Sequence, residues 1–247
     1  MRILIVNDDG IHAKGIEALA RMAAQLGEVW IVAPDRQCSG MSQKLTIFEK
    51  MPVREEPFPV PVRGAWSVGG TPADCVKLAL NCLLDERPDY IFSGVNDGCN
   101  AGFDICYSGT IGACFEAVLN GIPAIAFSCM SHSSLEIAEA HMRPIAEELI
   151  ALGLAPGEIW NVNFPAGDTG AVRGILHERR IAPMQMYDAV YTRNADEHGL
   201  VHYTQQGVII APDKAPEGTD IAAVLNGYIS IGKIKCALMQ SPPYKMH

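Results

Sequence analysis

The sequence predicts an α/β protein: a mostly parallel sheet with helices on both faces, followed by a β-rich C-terminal extension. Three observations carry this expectation. Strand-like and helix-like segments alternate through the first 150 residues, the rhythm of βαβ units. The strand-like runs are apolar throughout, as expected of strands covered on both faces. After Pro165 the character changes: Gly, Pro and Thr increase, and short alternating pieces replace long helical ones.

In chain order, residues 3–6 (ILIV) form a short buried-strand run. Residues 15–27 carry helical periodicity and stop at Gly27. A second strand follows at 29–35 (VWIVAPD), and residues 41–65 are irregular, with short strands expected near 44–48 and 57–62. Thr71-Pro72-Ala73-Asp74 marks a helix start: Thr is a good N-cap, Pro suits the first helical position, and Asp favours the positive end. A strand at 88–94 leads through the loop 95–107 into a helix at 108–121. A strand at 123–128, a helix at 135–153 expected to kink at Pro144, and a strand at 159–165 complete the alternation. The pieces 189–193, 200–206 and 228–234 read as extension strands, and 219–227 as a short helix. The division is therefore a core at 1–165 and a β-rich arm with a C-terminal segment at 166–247, all within one domain.

Of the 247 residues, 49% are hydrophobic and 19% charged, a globular composition. No apolar run approaches the roughly 18 residues of a membrane span. The start lacks a signal-peptide pattern, because four apolar residues give way at once to Asn7-Asp8-Asp9-Gly10. A soluble cytoplasmic protein with no membrane partner is the expectation. The formal charge is −9 with no basic cluster, which disfavours duplex nucleic acid. A small phosphate ester stays open, given a local remedy for anion repulsion such as a cation or a helix N-terminus. Eight cysteines form no C-x-x-C pair and read as small buried hydrophobes.

Ligand sites in open α/β sheets lie at the carboxyl ends of strands. The three ends here read Asn7-Asp8-Asp9-Gly10, Asp35-Arg36-Gln37-Cys38-Ser39-Gly40 and Gly94-Val95-Asn96-Asp97-Gly98. Adjacent carboxylates repel unless a cation lies between them. Asp8, Asp9, Ser39 and Asn96 offer the oxygen ligands that Mg²⁺ or Mn²⁺ prefers. Neighbours in an extended strand face opposite ways, so the backbone must turn at Asp8-Asp9, and Gly10 eases that turn. The alternative is that one Asp only caps the next helix. Ser108-Gly109-Thr110 opens a helix with hydroxyls and free N–H groups suited to phosphate, and an ordinary Ser N-cap is the alternative. The preceding loop, with Asn96, Asn100 and Asp104, is too long and polar for a plain connection. His12 is a proton donor or simply solvated, and Asp74 a capping charge.

Three other protein classes share parts of this pattern. A response-regulator receiver also carries an acidic pair after its first strand, but Gly94 stands where the phosphoacceptor Asp belongs. A haloacid-dehalogenase-type phosphatase spaces its two Asp one residue apart, whereas these are adjacent. A non-catalytic nucleotide-binding or stress-response module needs the cradle but has less use for a metal with open positions.

The motifs NDDG (7–10), APDRQCSG (33–40), GTPADCV (70–76), SGVNDGCNAGFDICYSGT (93–110) and NVNFP (161–165) together resemble the SurE family, the survival-protein 5′/3′-nucleotidases. Residues 219–231 are also similar to the family's C-terminal segment, while 232–244 (GKIKCALMQSPPY) departs from its usual ending. The resemblance implies a Rossmann-like core with a β-rich arm exchanged between the subunits of a dimer or tetramer. It implies a metal-dependent phosphatase acting on nucleoside monophosphates and short-chain polyphosphate. By the same resemblance, one divalent ion per subunit, Mg²⁺ or Mn²⁺, is expected on Asp8, Asp9, Ser39 and Asn96, and phosphate on Asn96, Asn100, Ser108, Gly109 and Thr110. Asp8 and Asp9 are the expected catalytic carboxylates, with water attack assisted by Asp8 and direct attack by Asp8 both open.

Overall fold

The computed structural model describes residues 1–236, so the tail motif at 232–244 lies outside the described residues from 237 onward. The elements run β1 (Arg2–Val6), α1 (Lys14–Ala23), β2 (Glu28–Pro34), β3 (Val53–Glu55), β4 (Gly64–Val68), α2 (Pro72–Leu78) and β5 (Tyr90–Asp97). Then follow α3 (Gly109–Leu119), β6 (Ala124–Cys129), α4 (Glu136–Leu152), β7 (Glu158–Phe164), β8 (Ile175–Leu176), β9 (Tyr187–Ala195), β10 (Val201–Ile209), α5 (Asp220–Leu225) and β11 (Ile229–Lys235).

Among the described residues nine strands make one sheet in the order β3-β4-β2-β1-β5-β6-β7-β11-β8. Only β3 against β4 and β11 against β7 are antiparallel. The apolar strands bury both faces. On one side Ile3, Ile5, Val29 and Phe92 pack with α1 and α4; on the other Leu4, Val6, Val32 and Ile91 pack with α2 and α3. The chain moves from β1 toward β2 and β4, then crosses back to β5 on the other side of β1. The strand order reverses there, and such a reversal opens a crevice at the strands' carboxyl ends.

Thr71, Pro72 and Asp74 act as expected: the Thr71 hydroxyl accepts from Asp74 N, and Asp74 Oδ2 accepts from Thr71 N at 2.9 Å. Helix α4 passes through Pro144 as one continuous element. Four expectations need correction. Helix α1 ends at Ala23, four residues before Gly27. No strand forms at 44–48 or 57–62. The strands of this region are instead β3, at the sheet edge, and β4, between β3 and β2; β4 was hidden because Gly64 and Ser67 interrupt an otherwise short apolar run. The piece at 228–234 supplies β11, which enters the main sheet between β7 and β8. Its partner is chosen by the register of Ile231 on Val162, a long-range pairing.

Strands β9 and β10 form a separate antiparallel hairpin, paired from Tyr187↔Ile209 to Ala195↔Val201. Nearly all its residues are exposed. At its base a small satellite core gathers Cys99, Ala101, Met130, Ala182, Met186, Ile210, Ile221 and Val224. The described cysteines are all free, with Cys82 and Cys106 exposed. Among the described residues no helix is long and apolar enough to cross a membrane.

Candidate active site

The crevice beside β1 holds the acidic pair. Asp8 is 3% exposed. Its backbone oxygen accepts from Cys38 N at 2.6 Å, which ties the end of β1 to the loop carrying Ser39. Its carboxylate meets the start of α3: Thr110 Oγ1 donates to Asp8 Oδ1 at 2.6 Å. A Cβ on Gly109 would lie 2.9 Å from Asp8 Cβ and 3.1 Å from Oδ2. Glycine at 109 therefore lets the carboxylate approach the positive end of an eleven-residue helix. Asp9 turns toward β5 instead, where its Oδ2 accepts from Asp97 N at 3.0 Å. That bond sets Asp9 next to the backbone of Asn96. The turn needed at Asp8-Asp9 is real: Gly10 has φ 99°, in the left-handed region.

Burial pushes the Asp8 carboxyl up to about 6, the Thr110 hydroxyl partly countering this and the charge of Asp9 adding to it. Burial also raises Asp9, countered by the Asp97 amide and reinforced by the Asp97 carboxylate. Among the described residues no Lys, Arg or His pairs with either group. A buried carboxylate next to a half-buried one, with no cationic partner among the described residues, is electrostatically costly. The donor set around them is Ser hydroxyl, Asn amide and carboxylate, and no group of three or more His, Cys, Asp or Glu gathers among the described residues. This set fits a hard divalent cation and suits zinc poorly.

The remaining candidates divide. Ser39 is exposed on the loop anchored by Cys38, and its Oγ accepts from Gln37 Nε2 at 3.2 Å. Asn96 is buried and its Nδ2 donates to Gly98 O at 2.6 Å. The Ser108 hydroxyl accepts from Ile111 N at 3.1 Å, so it caps α3, as the plainer alternative supposed. The Asn100 side chain donates to Ser128 Oγ at 2.8 Å. His12 is exposed on the turn after Gly10, and Asp74 caps α2 while also accepting from Thr46 N. An open cleft of about 350 Å³ borders Asp9, lined also by Lys14, Gln37, Asp97, Ser133 and Leu135.

Sequence reasoning missed the residues that hold the loop 97–107. Asn163 Oδ1 accepts from Asn100 N at 2.8 Å, and the amides of Asn161 and Asn163 both donate to Asn100 O. A signal existed: Asn161 and Asn163 lie two apart, hence on one face of β7, and both are buried. Asp104, within this loop, ties it to the base of the hairpin, and Asp220 pins it from α5. Nothing local marks those two as clamps.

Comparison with known proteins adds the lineage. A family model described as survival protein SurE matches residues 3–186. The 5′-nucleotidase SurE of Heliobacterium modesticaldum is 40% identical over 240 residues, covering 95% of this chain and 86% of that protein. The 5′-nucleotidase SurE of Desulforudis audaxviator is 40% identical over 245 residues, covering 96% and 93%. The crystal structure of the SurE protein from Aquifex aeolicus is similar at a TM-score of 0.81 and 34% identity, covering 97% of this chain and 95% of that one. With the match spanning most of the core and the likeness running nearly end to end, this chain belongs to the SurE family.

Proposed function

We propose that this protein is a metal-dependent phosphatase that hydrolyses nucleoside 5′- and 3′-monophosphates to nucleoside and phosphate. The observation that carries the proposal is the Asp8–Asp9 pair: Asp8 is buried against the N-terminus of α3, Asp9 is half-buried toward β5, and neither has a cationic partner among the described residues. The naming of relatives at 40% identity as 5′-nucleotidases supports the same reaction. Short-chain polyphosphate is a second substrate of the same chemistry.

Asp8, Asp9, Ser39 and Asn96 would hold one divalent ion per subunit, Mg²⁺ or Mn²⁺. When bound, that ion would supply Lewis-acid polarisation of the phosphoryl group and cancel the charge of the carboxylates. Asn96, Asn100, Ser108, Gly109 and Thr110 form the phosphate-binding surface, with the positive end of α3 directed at the oxygens that gain charge. The Thr110 hydroxyl fixes one oxygen of Asp8 and leaves Oδ2 to receive a proton. In the overall reaction a water oxygen bonds to phosphorus, the ester P–O bond breaks, and the departing nucleoside oxygen takes a proton. Asp8 orients or deprotonates that water. The cleft beside Asp9 takes the nucleoside. The hairpin arm, exposed on this single chain, is the element exchanged in a homodimer or homotetramer.

The test is phosphate release from a panel of 5′- and 3′-nucleoside monophosphates with Mg²⁺ or Mn²⁺, then with EDTA. Release abolished by EDTA and restored by metal is expected. Folded protein that releases none with any metal would overturn the proposal in favour of a nucleotide-binding module. The stereochemistry at phosphorus separates the two chemistries: with a substrate chiral at phosphorus through oxygen isotopes, inversion indicates direct water attack and retention indicates a phosphoaspartate.

A further inference from the structure

The hairpin and the active-site loop meet at one side chain. Tyr187, the first residue of β9, turns its ring back toward the core. Its hydroxyl accepts from Cys99 N at 3.1 Å and shares a hydrogen bond with Ser131 Oγ at 3.2 Å. Ser131 follows β6, so the phenol links the loops after β5 and β6. The backbone of Tyr187 is held in turn by the loop it holds. Asp104 Oδ2 accepts from Met186 N at 2.7 Å and Tyr187 N at 3.2 Å, while Asp104 Oδ1 accepts from Gln185 Nε2 at 3.2 Å. The contacts close a circuit: the loop fixes the base of the hairpin, and the hairpin's first ring fixes the loop.

Cys99 has a particular place in that circuit. On one side stands Gly98, whose oxygen accepts from the Asn96 side chain. On the other stands Asn100, clamped by Asn161 and Asn163 from β7. The asparagine clamp holds the far side of the Cys99 peptide; on the near side, toward Asn96, Tyr187 acts beside the Gly98 amide, which donates to Cys129 O at 3.0 Å. Gly98 has φ 134°, a conformation an L side chain rarely adopts, and carries no side chain that might pack to hold it. The Tyr187 hydroxyl would lie 3.8 Å from a Cβ placed there.

We infer that Tyr187 is a positioning residue, its hydroxyl holding the Cys99 amide so that the seating of the hairpin base sets where Asn96 and Asn100 stand. This rests on the metal-phosphatase reading of the site. It adds that the arm is coupled to turnover through one phenolic oxygen. Tyr187 touches neither phosphate nor the reacting atoms, so its effect is felt through Asn96.

The full chain carrying Tyr187→Phe tests this, because only the hydroxyl is lost and the ring keeps its packing. Tyr203→Phe is the control, on the exposed part of the same hairpin. Steady-state phosphate release, Mn²⁺ binding by calorimetry and amide exchange across residues 97–100 are measured for both variants and the wild type. In Tyr187→Phe, kcat falls about tenfold, as loss of one well-placed hydrogen bond predicts. Mn²⁺ binding weakens by about threefold or more, KM moves less than about twofold, and exchange at Cys99 accelerates. Tyr203→Phe matches the wild type in every measurement. A Tyr187→Phe protein with kcat and Mn²⁺ affinity both within about twofold of wild type overturns the inference. So does a loss of thermal stability whose folded remainder keeps full turnover, since that is a merely structural role. Wild-type protein without metal-dependent release overturns the nucleotidase reading instead, and Mn²⁺ binding and Cys99 exchange then decide Tyr187.

Discussion

Asn163 grips the peptide of Asn100 from both ends. Its Oδ1 accepts from Asn100 N at 2.8 Å, and its Nδ2 donates to Asn100 O at 3.1 Å. The pair mimics the exchange between neighbouring strands, made here by one side chain with a loop that has no strand beside it. Asn161 adds a second donor to the same oxygen. A loop that carries polar groups to a reaction site cannot use sheet pairing for rigidity, and buried asparagines on β7 provide it.

Asn163→Leu keeps the size of the side chain and removes both bonds. The Asn100 N–H then loses its acceptor in a buried setting, which costs about 1–3 kcal/mol. For a chain of this length we expect Tm to fall by roughly 3–9 °C in differential scanning calorimetry. An unchanged Tm would show that water or Asn161 takes over the whole role.

Gly109→Ala should separate stability from activity. Within a helix, alanine is ordinarily better than glycine by about 0.5–1 kcal/mol, and some of that gain is expected at its first position too. Here the added methyl would stand 2.9 Å from Asp8 Cβ. The carboxylate has to move, so phosphate release is expected to drop about tenfold or more without the usual gain in Tm. Full activity together with a raised Tm would mean that Asp8 does not need this close approach.

Asp8→Asn should stabilise the metal-free protein while removing its activity. Asp8 sits at about 6 in the folded state against an ordinary 3.8. Between those values the folded state binds more protons than the unfolded state, so stability falls as pH rises through the window. The penalty is complete above about pH 6 and absent near pH 4. Asparagine carries no such penalty. In EDTA the variant should therefore exceed wild type by roughly 1–3 kcal/mol at pH 7.5, the two converging near pH 4. Equal urea midpoints at both pH values would remove the charge-burial account of this site.

Asp220→Ala tests the clamp from α5. Its carboxylate accepts from Gly102 N and Ala182 N, both at 2.9 Å. Alanine leaves two buried N–H groups without that acceptor, and a loss of about 2–4 kcal/mol follows. Amide exchange should rise first at residues 101–103 and 181–183. Protection unchanged at both segments would place the anchoring elsewhere.

The alternation of strands and helices, the caps at Thr71-Asp74 and Ser108 and the carboxylate pair at the end of β1 are all legible in the sequence. Each is encoded within a few residues: apolar runs bury themselves, a hydroxyl before a helix satisfies its free N–H groups, and adjacent acids announce themselves by composition. Tertiary structure alone decided the rest. It placed β11 beside β7, because that pairing joins residues about seventy positions apart and leaves no local trace. It gave Asp8 and Asp9 different partners, Thr110 and the Asp97 amide. It also set Asn163 on Asn100 and Tyr187 on Cys99. A hydrogen bond between distant residues depends on where two backbones come to rest, and only the packing of the whole chain fixes that.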